Sequence, residues 1–221
     1  MAANRSGPFQ LALAELRRRL AGGEFPAESR LAAGVLAPEL GLSPTPVREA
    51  LARLAGEGLL EERRGQGFFV RRLSARDVAD LYGLALAHLR IALGDRSGAP
   101  AASQGRSPWP VPPPAACSVG EGSPWEAEPV AAADRLLAAW VREGGGAVLV
   151  RSFLRVQLQL ARVRRLEPRH LRDLVEEYAG LHAQSAAPPP ARAAAARAFY
   201  RRRIRLARRL AEHLEPSAPI A

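Results

Sequence analysis

Gly41-Leu42-Ser43-Pro44-Thr45-Pro46-Val47-Arg48-Glu49-Ala50-Leu51-Ala52-Arg53-Leu54 is the stretch that decides the fold of this chain. Gly41 stops whatever helix precedes it. Ser43 is a favoured N-cap, and Pro44 takes the first helical position, where a missing N–H costs nothing. Val47, Leu51 and Leu54 then recur at i, i+4 and i+7, one buried stripe of a helix that Gly56 and Gly58 end. Thr45, Arg48 and Ala52 share a different, outward face.

Working outward, Leu11, Leu13, Leu16 and Leu20 mark an earlier helix closed by Gly22-Gly23, and a second is expected from about Leu31 to Leu40. On the other side, Leu59–Arg63 and Phe68–Arg71 are short extended runs around Arg64-Gly65-Gln66-Gly67, the pattern of a β-hairpin. Ser74 followed by Asp77 opens another helix over 75–93. Three helices and a hairpin make a winged helix-turn-helix. In that arrangement the third helix enters the major groove, and the hairpin tip meets the flanking backbone or minor groove.

The outward residues suit that task. An arginine near the start of a recognition helix, as Arg48 is, donates two hydrogen bonds to guanine O6 and N7. Ser43, Thr45 and the free N–H groups of the helix start suit phosphate oxygens. At the tip, Gly65 lets the backbone approach a phosphate, and Arg64 and Gln66 supply donors. The plainer reading is that Arg48 and Glu49 are solvated surface charges and that the tip is an ordinary polar turn.

The chain has 221 residues, 48% of them hydrophobic and 24% charged, which is ordinary globular usage and argues against a wholly disordered chain. Its formal net charge is +10, which points to nucleic acid, an anionic membrane surface or an acidic ligand. All 32 basic residues are arginine, a sign of GC-rich coding that accounts for part of that charge. No apolar run reaches the roughly 18 residues of a membrane span, and charges interrupt the apolar stretch near the start, so neither membrane nor leader is expected. A lone Cys117 fits a reducing, cytoplasmic compartment. One cysteine and four scattered histidines build no zinc finger. With no nucleophile–base set, P-loop or metal cluster, neither enzyme activity nor a cofactor is expected.

Four zones follow: a winged domain over 9–73, a helix over 74–93, a flexible Pro/Gly-rich loop over 94–129, and a helical domain over 130–215. The last zone reads as helices at about 131–143, 147–166, 169–184 and 191–214. Leu149, Phe153, Val156, Leu160 and Val163 form a bundle-facing seam, and Leu171, Leu174, Tyr178 and Leu181 form another. The fold class expected is mainly α, a winged helix-turn-helix domain followed by an all-α bundle.

The motifs Glu39-Leu40-Gly41-Leu42-Ser43, Thr45-Pro46-Val47-Arg48-Glu49-Ala50-Leu51, Glu57-Gly58-Leu59-Leu60 and Gly65-Gln66-Gly67-Phe68-Phe69-Val70 resemble the GntR family of bacterial transcription regulators. The resemblance covers roughly residues 9–73. It implies a homodimeric regulator, usually a repressor, that reads double-stranded operator DNA through Ser43, Thr45, Arg48, Arg64 and Gly65. Two positions depart from the pattern. Ala33-Gly34 stands where the family usually has an arginine in the second helix, and Pro44 stands where it has an arginine after the serine. Those losses, with the metal positions below, motivate a second reading, a degenerate regulator acting as a protein-interaction module with weak specific DNA binding or none.

The helix opening at Leu73-Ser74-Ala75-Arg76-Asp77 resembles the start of the effector domain in the FadR-like (FCD) branch. That branch often holds a divalent metal with an Asp and three His. Here the matching positions are Asp134, Ala138, Tyr178 and Arg203, so the resemblance implies a shortened, metal-free domain. Arg203 lies on the stripe of Phe199, Leu206 and Leu210. Three readings stay open for it: an ion pair with Asp134, Glu176 or Glu177; a pocket of Asp134, Tyr178 and Arg203 for a small anionic effector; or surface exposure.

Overall fold

The computed structural model describes residues 7–94 and 128–214, so the loop expected over 94–129 lies outside the described residues except at its two ends. The first unit contains α1 (Pro8–Gly22), β1 (Arg30–Leu31), α2 (Ala33–Leu40), α3 (Pro44–Gly56), β2 (Leu60–Arg63) and β3 (Gly67–Val70). Ala12, Leu13, Leu16 and Leu20 of α1 pack with Val47, Leu51 and Leu54 of α3 and with Leu36 of α2 in one hydrophobic core. The three strands form an antiparallel sheet in the order β1-β3-β2.

Leu31 departs from the expected second helix. It lies in a strand, because Arg30 and Leu31 pair with Phe69 and Phe68 across the sheet. α2 is therefore only eight residues long. Its N-cap, Ala32, supplies no side-chain acceptor, and Pro38 sits inside it without ending it. Gly41 at φ 64° makes the turn to α3, a backbone geometry that suits glycine.

The second unit contains α4 (Ala75–Ala92), α5 (Pro129–Gly144), α6 (Ala147–Arg164), α7 (Glu167–His170), α8 (Leu174–Ala183) and α9 (Pro189–Glu212). α4 opens on a reciprocal cap: the Asp77 N–H donates to Ser74 Oγ at 3.1 Å and the Ser74 N–H donates to Asp77 Oδ2 at 2.9 Å. Arg71, just past β3, also donates to Asp77 at 3.0 Å, so the exit of the hairpin is tied to the first turn of α4. α4 then packs along α9 and against α5 and α6. Phe153, Val156, Leu160 and Val163 of α6 enter the core as the periodicity predicts. The helix expected over 169–184 is broken instead. Leu171 turns to an extended conformation (φ −125°, ψ 105°) and buries its side chain, splitting that stretch into α7 and α8.

α4 and α5 cross at Gly144, where a Cβ would overlap the carbonyl oxygen of Ala92. No flexible side-chain tip is there to move aside, so the backbones must separate. Gly144→Ala should therefore destabilise the protein by about 1–3 kcal/mol, the range for overpacked sites, read as a lower urea midpoint with an unchanged slope.

Candidate nucleic-acid interface

α3 presents the face that the spacing marks out. Val47, Leu51 and Leu54 are fully buried, while Thr45, Arg48 and Ala52 are exposed. Ser43 occupies the N-cap position in extended conformation, but its side chain makes no cap hydrogen bond. The hydroxyl is therefore free to meet a phosphate beside the unpaired N–H groups of the helix start.

At the hairpin tip, the Gln66 N–H donates to the Arg63 carbonyl at 2.9 Å, and Gly65 adopts φ 73° as the turn requires. A β-branched or bulky residue there would be strained. The two arginines of the tip differ. Arg63 lies over the Phe69 ring, 4.3 Å from its centroid, and pairs with Glu61 at 3.1 Å. Arg64, Gly65 and Gln66 project into solvent, and among the described residues the Arg64 side chain has no ion-pair partner.

Arg30 is a residue that sequence reasoning passed over as a contact. In the short strand β1 Leu31 points inward and Arg30 outward. Its guanidinium lies near Gly67 and shares a notch of about 220 Å3 with Gly34 and Arg48. Like Arg48 and Arg64, it has no carboxylate partner among the described residues. Arg30 thus places a free guanidinium beside the exposed Gly34, the position at which the resemblance lacks its usual arginine. Its inward–outward alternation with Leu31 was the available signal, hidden because two residues are too few to read as a strand.

Comparison with known proteins agrees with this geometry. Residues 10–70 match the sequence model of the family described as "Bacterial regulatory proteins, gntR family". Those residues are a GntR-family domain. Among curated relatives, the Nta operon transcriptional regulator of Aminobacter aminovorans is 51% identical over 49 residues, 22% of this chain and 23% of that protein. The uncharacterized HTH-type transcriptional regulator YdhC of Bacillus subtilis is 34% identical over 68 residues, 31% of this chain and 30% of its own length. The matched part is thus under a third of each relative. Over the whole chain the likeness is one of fold. Escherichia coli McbR/YncC superposes with TM-score 0.61 at 19% identity, covering 92% of this chain and 98% of that one. A GntR regulator from Rhodococcus sp. RHA1 gives TM-score 0.63 at 15% identity, covering 90% and 96%. The chain is mainly helical, with the GntR domain first and the helical bundle after it.

The GntR domain is clamped to the bundle through Glu57, which caps the end of α3. Its buried carboxylate accepts from Arg17 of α1 at 2.5 Å and from Arg53 of α3 at 2.9 Å, and its carbonyl accepts from Gln159 of α6 at 2.8 Å.

Inside the bundle the candidate effector residues belong to a closed charge cluster. Arg203 is fully buried and donates to Glu167 at 2.9 Å and to Glu177 at 2.8 Å. Tyr178 donates to Glu167 at 3.1 Å, and Tyr82 does so at 2.8 Å. Asp134 is paired with Arg164, whose Nε lies 3.4 Å from Glu167. The expected anion pocket of Asp134, Tyr178 and Arg203 is therefore corrected. Arg203 already faces two carboxylates, Glu167 and Glu177, and neither Asp134 nor Glu176 is its partner. Glu167 was missed because Leu166-Glu167-Pro168-Arg169-His170 reads as a polar surface turn.

The FadR-like branch often holds a divalent metal at the positions matching 134, 138, 178 and 203, and the side chains of this chain do not fit one. Ala138 has no ligand atom. Burial pushes the Tyr178 phenol up to about 12, so it stays protonated. The Arg203 guanidinium lies over Phe199 at 3.3 Å from the ring centroid and puts a fixed positive charge where a cation would sit.

Burial of Glu167 favours its neutral form, but the guanidiniums of Arg164 and Arg203 outweigh this and hold the carboxyl below the usual glutamate range. A depressed folded-state pKa contributes stability that is complete above the unfolded value, about 4.3, and is lost as pH falls through the folded value. Stability should thus decline in acid, and Glu167→Gln should lack that part of the decline. At pH 7 the same substitution leaves two buried guanidiniums short of a counter-charge, at a cost of about 3–5 kcal/mol in urea unfolding.

Proposed function

We propose that the chain is a sequence-specific DNA-binding transcription regulator that works as a homodimer, with repression as its mode. The observation that carries the proposal is the shared outward face of the GntR domain. Thr45, Arg48 and Ser43 on α3 stand beside Arg30 and the hairpin tip, with three guanidiniums left without carboxylate partners. An arginine on a recognition helix and another at a wing tip are what base reading and backbone anchoring require. Repression is carried over from the family resemblance, as is assignment of the bundle to the FadR-like branch.

Dimerisation is supported by apolar side chains left in solvent: Leu84 (47% exposed) and Ile91 (44%) on α4, and Val148 (73%) at the start of the adjacent α6. Two copies would place two α3 helices on successive half-sites of a pseudo-palindrome. Ligand responsiveness is supported by a cleft of about 780 Å3 between α1, α5 and α6, lined by Asp134 and Arg164 at the edge of the buried charge cluster. A small carboxylate seated there would compete with Asp134 for Arg164. The reading involves no metal.

The second reading, a protein-interaction module, is favoured by Gly34 and Pro44, which remove two arginines from the reading face. Selection from a randomised duplex pool separates the two. A regulator enriches one motif, and an interaction module enriches none. On the enriched site Arg48→Ala should lose about 1–3 kcal/mol and relax preference at one base per half-site. Arg64→Ala should weaken binding at all sequences and reduce the salt slope by about one. Leu84→Arg with Ile91→Arg should shift the sedimenting species from dimer to monomer.

A further inference from the structure

α9 carries an arginine series that the winged domain does not use. Arg197, Arg201, Arg205 and Arg209 recur at i, i+4, i+8 and i+12, and all four are exposed. Their neighbours on the same helix are engaged: Arg192 with Glu143 at 2.5 Å, Arg202 with Asp173, Arg208 with Glu212 at 2.9 Å, and Arg203 in the core. The four have no hydrogen bond or ion pair to their side chains among the described residues. Like charges at i, i+4 disfavour a helix, so the fold gains nothing from the series. GC-rich coding explains why these residues are arginine rather than lysine, but not why they line up on one face whose one carboxylate, Glu212, is taken by Arg208.

The stripe is about 18 Å long, a length over which one DNA strand presents about five phosphates. It also adjoins the winged domain. Arg208, Ala211 and Glu212 at the end of α9 line a common cleft with Arg72, Leu73 and Ser74, where the hairpin gives way to α4. Arg72 and Arg208 share that cleft with Asp77 and Glu212, and the stripe begins beyond it on the outer face of α9. The stripe has no aromatic or aliphatic companions on that face, only Ala194 and Ala198, so nothing there inserts into a lipid bilayer.

We propose that Arg197, Arg201, Arg205 and Arg209 form a second, sequence-independent surface for the phosphate backbone of duplex DNA. The choice of DNA among polyanions rests on the reading of the winged domain as DNA-binding. The surface lets the bundle grip DNA flanking the site that α3 reads, or a second duplex.

The test compares the full chain with R197Q/R201Q/R205Q/R209Q on a 40-bp mixed-sequence duplex, by fluorescence anisotropy between 50 and 200 mM salt. Circular dichroism and the melting transition verify the fold. Each lost phosphate contact should lower the slope of log K against log salt by about 0.9, so a variant that loses all four should lose about 3.6 units and more than tenfold in affinity at 100 mM. Equal slope and affinity for parent and variant would overturn the proposal. Vesicles of phosphatidylglycerol form a second arm: a variant that loses vesicle binding while keeping its DNA slope also overturns it. A loss on the 40-bp duplex that vanishes on a 16-bp duplex places the stripe on flanking DNA, and recruitment of a labelled second duplex, abolished in the variant, places it on another molecule. Either supports the proposal. If the winged-domain reading is what fails, Arg48→Ala and Arg64→Ala leave binding unchanged while the quadruple variant still weakens it.

Discussion

Glu167 sets the constraint around which the bundle is organised. A carboxylate with no exposure cannot stay ionised without counter-charge and donors. It finds them on four different helices: Tyr82 on α4, Arg164 on α6, Tyr178 on α8 and Arg203 on α9. Burying two guanidiniums would be equally unfavourable without it. Asp134 and Glu177 supply the remaining negative charge from the edges of the cluster. Such a cluster stabilises less than an apolar core of equal volume would, but it tolerates few alternative packings. The short α7 holds Glu167 in this cluster, and the chain leaves the helical conformation at Leu171, which is itself buried.

Glu57 plays the corresponding part between the two units. Its carboxylate gathers Arg17 and Arg53, and its carbonyl takes the Gln159 amide, so the end of the recognition helix is referenced to α1 and α6 together. α6 also carries Arg164, one helical turn and a residue beyond Gln159, in the charge cluster. A rigid helix therefore joins the buried charges of the bundle to the end of the helix that presents Arg48. Any ligand that drew Arg164 away from Asp134 would act on the element that holds α3 in place.

Local signals made the winged domain legible. Pro44 after Ser43, the Gly65 turn and the Ser74–Asp77 box each state a backbone geometry within a few residues, and the periodicity of Val47, Leu51 and Leu54 states which side is buried. What escaped depended on partners far away in the chain. Leu31 is a strand residue only because Phe68 lies opposite. Arg30 is placed beside Arg48 by the same pairing. Arg203 could be suspected of burial from its stripe, and Glu177 was among the partners considered. Glu167 was not, since nothing adjacent in sequence marks an acid beside a proline as a core residue. Tyr178 was read correctly as a core position, but the acceptor of its hydroxyl could not be.

The distribution of arginine bears on how such a protein would trade specificity against affinity. Base contacts discriminate, and phosphate contacts do not. On the proposed reading, Gly34 and Pro44 subtract from the discriminating set and leave Arg48, with Arg30 placed beside the first of these gaps. The unpaired guanidiniums elsewhere would add to the electrostatic share, which acts on every duplex alike. A chain arranged in this way holds its site with less help from base edges and more from the polyanion as a whole. Its ratio of specific to general binding is then set by few contacts, while both affinities depend steeply on salt. In the proposed homodimer, two such domains would recover selectivity by requiring two half-sites at a fixed spacing, so that pairing of subunits would contribute what the reading helix has lost.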